Sequence, residues 1–389
     1  MQSAKFLKLL FSTALIDRWN DQVRFVDLNE LDKQAYKMVI AYLLAIMEEN
    51  ENNKKIDYLK LIEYGISEFI YRAVLTDLKP QVFHYLLKHK KEALTNYVKK
   101  EIYPLIDDKL KKVFQNYLDS DESEIERKIL NASHFLASKW EFDIIYDYPK
   151  GFQKDEIKKN LEFRLEDFFD LVGVRRLSLG SKTKQFLDIC ATLRFQKRWS
   201  KTPRIPQTSV LGHMLFVAVL SYLFSIEYNA CKQTTINNFF TALFHDIAES
   251  LTRDIISPIK YGVEGLDEIL KEYENNLIEE KLLPLLPSYA RDRMRYYIVD
   301  EFANKINNPF QKLPLEEMPK NEDKFDSIDG SLIKVADNLA AFIEASESIN
   351  NGIAPESLKD AKESLLKKYK DYKIYGIDVY AILIELEGR

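Results

Sequence analysis

The chain has 389 residues, too many for one small domain and enough for about two. Hydrophobic residues make up 46% and charged residues 30%, which excludes a disordered or fibrous chain. Only 11 glycines and a net charge of −5 argue against a turn-rich all-β fold, a Gly-rich phosphate loop and bulk attraction to nucleic acid or membrane.

In chain order, MQSAKFLKLLFSTALIDRW at the start reads as an amphipathic helix with charge inside it and no small-residue cleavage site. Helical periodicity follows over 56–75, 84–100, 236–252, 331–349 and 357–370. Leu211, Leu215, Ala218 and Tyr222 line one face of a further helix. Its most apolar stretch, MLFVAVLSYLF, is too short for a membrane span. Pro203, Pro206, Pro284 and Pro287 separate helical segments. The expectation is an all-α protein. Two cysteines, Cys190 and Cys231, exclude a disulfide scaffold and fit a reducing cytoplasm.

A shift of 180 residues aligns the two halves. Phe6-Leu7 falls on Phe186-Leu187, Arg18-Trp19 on Arg198-Trp199, and Arg24 on Arg204. Leu31, Val39, Tyr42, Leu43 and Ile46 fall on Leu211, Val219, Tyr222, Leu223 and Ile226. With one more residue of offset, YGISEFIYR (64–72) matches HDIAESLTR (245–253) at three positions. Ala132, Phe135 and Ala137 then fall near Ala336, Leu339 and Ala341, and 150–165 resembles 351–366. An ordered series of matches across a whole half predicts a tandem duplication. The expected boundary lies in 166–182, giving units 1–180 and 181–389.

The second half carries His213 at the start of an apolar helix, the pair His245-Asp246, and Asp337 within IKVADNLAAF. Two imidazoles and two carboxylates suit one divalent cation in mixed N/O coordination. A lone histidine on an apolar helix is commonly a core residue. A carboxylate among Val, Ala, Leu and Phe, however, needs a partner or a metal. Glu249, four residues after His245, falls one turn along the same face and would hold or deprotonate a water there.

These residues resemble the HD superfamily of metal-dependent phosphohydrolases, and most closely the bacterial 5′-deoxynucleotidases. The resemblance covers about 181–366. It rests on Arg198-Trp199 before His213, on His245-Asp246 with Glu249 and Asp254, on Pro258, Lys260 and Tyr261, and on Ala336-Asp337. Leu211-Gly212 and Ser200 depart from the family pattern. The resemblance implies that His213, His245, Asp246 and Asp337 bind the cation. It implies that Arg198 orients the phosphate, Trp199 packs by the sugar, Glu249 positions the attacking water and Asp254 contacts the nucleotide. With His213 and His245 the only histidines of that half, a mononuclear site is expected. The mixed His/carboxylate ligation allows Mn, Co, Fe, Zn, Ni or Mg and does not identify the metal.

At the matching positions the first half has Lys33, Tyr64, Gly65 and Ser133, while Arg18, Trp19 and Glu68 persist. It reads as a degenerate copy without metal, with His134 in a core or surface role. The expected partners are a nucleotide or other phosphomonoester substrate and an intramolecular pseudo-dimer of the halves, with a homo-oligomer also allowed; neither a nucleic-acid polymer nor a membrane is expected. The rival readings are an HD hydrolase of nucleoside triphosphates or another phosphoester, and a non-catalytic nucleotide-binding regulator.

Overall fold

A computed structural model of the chain describes residues 2–76, 78, 80–147, 151, 153–253, 265–318 and 321–388. In the first half the helices are α1 (Ala4–Phe11), α2 (Glu30–Glu51), α3 (Tyr58–Leu75), α4 (Pro80–Ile102), α5 (Asp108–Asp119), α6 (Ile125–Tyr146) and α7 (Lys154–Glu166). Next come α8 (Val172–Ser178), α9 (Lys182–Thr192), α10 (Val210–Glu227), α11 (Lys232–Phe244) and α12 (Glu249–Thr252). The last are α13 (Leu266–Leu277), α14 (Ser288–Ile298), α15 (Gly330–Asn350), α16 (Glu356–Tyr369) and α17 (Val379–Glu387). Among the described residues, strand is confined to two small antiparallel hairpins, Lys305–Asn307 with Phe310–Lys312 and Lys373–Ile374 with Ile377–Asp378. The all-α expectation holds.

Two side-chain caps, 180 residues apart, open the central helices. Asn29 accepts from the Asp32 amide at 2.9 Å to start α2, and Ser209 accepts from the Gly212 amide at 3.0 Å to start α10. Both helices are buried nearly all round and pack on each other, with α6 flanking α2, and α11 and α15 flanking α10. Helix α10 has the length and mean hydropathy (1.8) of a membrane span, but 89% of that window is covered by protein. It is the core helix of the second half.

The loops before these helices repeat in detail. Arg18 N donates to Leu28 O at 2.8 Å, as Arg198 N does to Thr208 O at 3.0 Å. Glu30 N donates to Ile16 O at 3.0 Å, as Val210 N does to Gln196 O at 2.9 Å. Trp19 and Trp199 both adopt left-handed backbone, with φ of 56° and 58°. Such a conformation is costly for a bulky residue and persists where the surroundings demand it.

The two halves bury one continuous core between them. At the α2–α10 crossing, equivalent positions meet: a Cβ at Gly212 would lie 2.6 Å from Asp32 Oδ1. The 166–182 segment contains α8, which packs on α2, and the Val172 amide donates to Glu48 Oε1.

Helix α15, which carries Asp337, starts where the chain crosses itself closely. A Cβ at Gly330 would fall 2.3 Å from the carbonyl carbon of Phe302 and 2.4 Å from the carbonyl oxygen of Ala303. Backbone cannot swing aside as a side chain can. Gly330→Ala is therefore expected to lower stability by about 3 kcal/mol, read as a shift in the urea midpoint at constant slope.

Candidate metal centre

Three separate helical segments bring the predicted ligands together. His213 lies in the first turn of α10 and is 1% exposed. Its Nε2 faces Asp337 Oδ1 of α15 at 3.1 Å, and its Nδ1 faces Glu344 Oε1 at 3.5 Å. The His213 and His245 rings lie 5.4 Å apart, and donor atoms of His213, His245 and Asp246 all fall within 4.8 Å of one another.

The periodicity over 236–252 predicts one helix, but the structure breaks it. Helix α11 ends at Phe244, and residues 245–248 form tight turns closed by Ile247 N→Phe244 O and Glu249 N→Asp246 O, each 3.0 Å. His245 and Asp246 thus lie at a helix terminus instead of on one helical turn, and α12 restarts at Glu249. His245 Nδ1 bonds the Ala242 carbonyl at 2.7 Å, which leaves Nε2 as the lone-pair nitrogen. That atom is buried, lies 3.1 Å from Asp246 Oδ2, and makes no hydrogen bond.

Both histidines therefore have Nδ1 turned to an anchor and Nε2 turned towards a carboxylate. This is the arrangement that metal-ligating histidines adopt, with an outer carboxylate or carbonyl fixing the ring. The electrostatics agree. Burial opposes a charge on His245, but Asp246 and Asp337 outweigh it and raise its pKa. Burial likewise opposes ionisation of Asp246, and His245, His213 and Arg198 outweigh it, holding the carboxyl at about 2. Two inward nitrogens among ionised carboxylates fit a divalent cation.

Arg198 stands beside this cluster. Its Nε contacts Glu344 Oε2 at 3.3 Å and its Nη1 lies 3.8 Å from Asp246 Oδ2. Glu344, Asp337, Asp246 and Glu249 together raise its pKa against burial. Trp199 donates its indole N–H to Glu344 Oε2 at 2.8 Å. Glu249 opens α12, and its carbonyl accepts from Gln196 Nε2 at 2.9 Å. Lys334 Nζ donates to Asp337 Oδ2 at 2.8 Å. Asp254, with Pro258, Lys260 and Tyr261, lies outside the described residues.

Sequence reasoning missed Glu344. Its carboxylate, 1% exposed, ties together Arg198, Trp199, Thr208 Oγ1 (2.8 Å) and His213. Arg198, Arg204 and His213 overcome its burial and hold its pKa well below 4.5. A signal existed: Glu344 lies seven residues after Asp337, two turns along one helix face, and the first half keeps Glu141 with its own Arg-Trp pair.

Glu141 also corrects the alignment of the halves. Its Oε2 accepts from Arg18 Nε at 2.8 Å and Trp19 Nε1 at 3.0 Å, as Glu344 Oε2 does from Arg198 and Trp199. That sets an offset of 203 here and places His134, not Ser133, at the position of Asp337. The contacts agree, since Lys33 Nζ bonds His134 Nδ1 where His213 meets Asp337. Ser133 instead bonds Ile129 O along its own helix. Buried Lys33 and Lys37 fill the space, Lys37 pairing with Glu68, and α3 runs unbroken through Tyr64 and Gly65. Arg18 is enclosed by two buried carboxylates, Glu30 and Glu141, each at 2.8 Å.

Comparison with known proteins agrees with this geometry. The family described as HD domain matches residues 190–365. A 5′-deoxynucleotidase of Pasteurella multocida is 27% identical over 206 residues, 51% of this chain and 93% of the relative. One from Vibrio cholerae is 24% identical over 203 residues (50% and 92%), and one from Vibrio atlanticus 25% over 210 (53% and 96%). Residues 190–365 thus match the HD domain family, and the C-terminal half is similar to these 5′-deoxynucleotidases.

Proposed function

We propose that the C-terminal half is a metal-dependent phosphomonoesterase that hydrolyses (deoxy)nucleoside 5′-monophosphates to nucleoside and phosphate. The observation that carries this is the meeting of His213, His245-Asp246 and Asp337 from three helical segments beside a half-buried Arg198. The HD domain and the nucleotidase relatives support the phosphohydrolase class. When bound, one divalent cation supplies charge to a phosphoryl oxygen and acidity to a water. His213, His245, Asp246 and Asp337 hold it, with Glu344 and the Ala242 carbonyl fixing the imidazoles. Arg198 presents a guanidinium to the phosphate oxygens and compensates charge in the transition state. Glu249 orients the attacking water, Trp199 packs by the sugar, and Asp254 contacts the nucleotide.

Residues 1–180 form the degenerate copy and 181–389 the catalytic one, joined as an intramolecular pseudo-dimer. The repeated loops and the α2–α10 crossing support this reading. Arg18, the counterpart of Arg198, is paired to two buried carboxylates, Glu30 and Glu141. The test combines metal analysis with a substrate panel. One cation per chain is expected, unchanged in Lys33→His, with phosphate released from deoxynucleoside monophosphates in preference to triphosphates. A triphosphate preference favours the rival hydrolase; no bound cation and no turnover with several metals favours the regulator.

A further inference from the structure

The first half has lost its metal ligands but has kept a buried carboxylate at Glu141, and that carboxylate crosses to the other half. Glu344 uses its Oε1 within the catalytic half, for Thr208 and His213. At the equivalent positions the first half has Leu28 and Lys33, which offer Glu141 Oε1 no counterpart of the Thr208 and His213 contacts. Arg194 of the second half takes that place: its Nη1 donates to Glu141 Oε1 at 3.1 Å, with both side chains at most 1% exposed. The position equivalent to Arg194 in the first half is Ala14, so the contact has no mirror image. Arg194 is further enclosed by the Trp140 and Tyr36 rings, with centroids at 4.9 and 5.7 Å.

Arg194 sits in a single 3₁₀ turn (Leu193–Phe195) that leads directly into Gln196, Arg198 and Trp199. Gln196 holds the Glu249 carbonyl, so this short arm reaches the substrate-facing residues on both sides. A buried guanidinium has few places to go, and its carboxylate partner sets where the arm starts.

We propose that Glu141 is a positioning residue for the catalytic half: through Arg194 it fixes the arm that carries Arg198 and Trp199. The degenerate copy thereby supplies a part that the second half lacks. This rests on the phosphohydrolase reading for its kinetic consequence, but not for its structural one.

The test uses the full-length, metal-loaded chain with its three tryptophans labelled as 5-fluorotryptophan. Glu141→Gln is compared with Glu30→Gln, which removes an equally buried partner of Arg18 that does not hold Arg194. In Glu141→Gln the Trp199 fluorine signal is expected to shift or split. Inorganic phosphate is expected to bind about tenfold more weakly, and kcat/KM to fall by a similar factor, mainly through KM. Metal content stays at the wild-type level, and Glu30→Gln leaves the Trp199 signal in place. Arg194→Met deletes the same contact without leaving a guanidinium unpaired, and the same changes are expected there, so a poorly folding Glu141→Gln does not end the test. An unmoved Trp199 signal in the folded variants overturns the proposal, as does an equal response to Glu30→Gln. If wild type hydrolyses no nucleotide, the functional reading fails while the fluorine signal and phosphate titration still decide this inference.

Discussion

Asp337→Ala and Asp246→Ala chains are expected to lose metal-dependent phosphate release by on the order of a thousandfold or more. Asp337 lies 3.1 Å from His213 Nε2, and Asp246 3.1 Å from His245 Nε2. Removing either leaves two imidazoles and one carboxylate, a set with less charge and fewer donors for a hard cation. The metal content of the purified chain should fall together with activity. Far-ultraviolet circular dichroism should stay unchanged, because neither carboxylate caps a helix. Full activity in either variant would remove the basis of the proposed chemistry.

The second large effect is on stability. Glu344→Gln is expected to cost about 3 to 4 kcal/mol, the usual result of removing one partner from a buried ion pair. The amide can still accept from Trp199, but Arg198 loses its nearest carboxylate and Thr208 loses a charged acceptor. The measurement is urea unfolding at neutral pH. A pH dependence follows. The folded Glu344 carboxyl lies well below its ordinary 4.5, so its contribution is complete above that value and is lost as pH falls through the folded value. Wild type should therefore lose stability below about pH 4.5 more steeply than Glu344→Gln. Equal slopes for the two proteins would show that this carboxylate is not the acid-sensitive link.

Much of the site was legible because its residues are chemically conspicuous where they stand. Asp337 follows buried Val335 and Ala336 and precedes buried Leu339, so an ionisable group stands out in that apolar run, although its own side chain is only half-buried, on the same stripe as Lys334 and Asn338. The helix break at His245 was not legible. Periodicity runs through 236–252 without a proline or glycine, and the turn is closed by backbone bonds that leave no trace in residue type. The register around Asp337 was misread by one residue for a related reason. Apolar matches such as Ala132 with Ala336 fit a helix equally well at neighbouring offsets, whereas the Glu141 and Glu344 contacts accept only one.

The linear chain by itself determined the helical class and the residue types of the proposed cation site, because composition, spacing and ligand chemistry are local properties. Only the folded molecule decided which nitrogen of each imidazole faces inward, that Glu344 stands behind His213 and Arg198, and that Glu141 reaches Arg194 in the other half. The Glu344 and Glu141 contacts join side chains more than fifty residues apart in sequence, where no periodic pattern reports on distance, and the His245 ring is turned by a local backbone bond to Ala242 that residue type does not reveal.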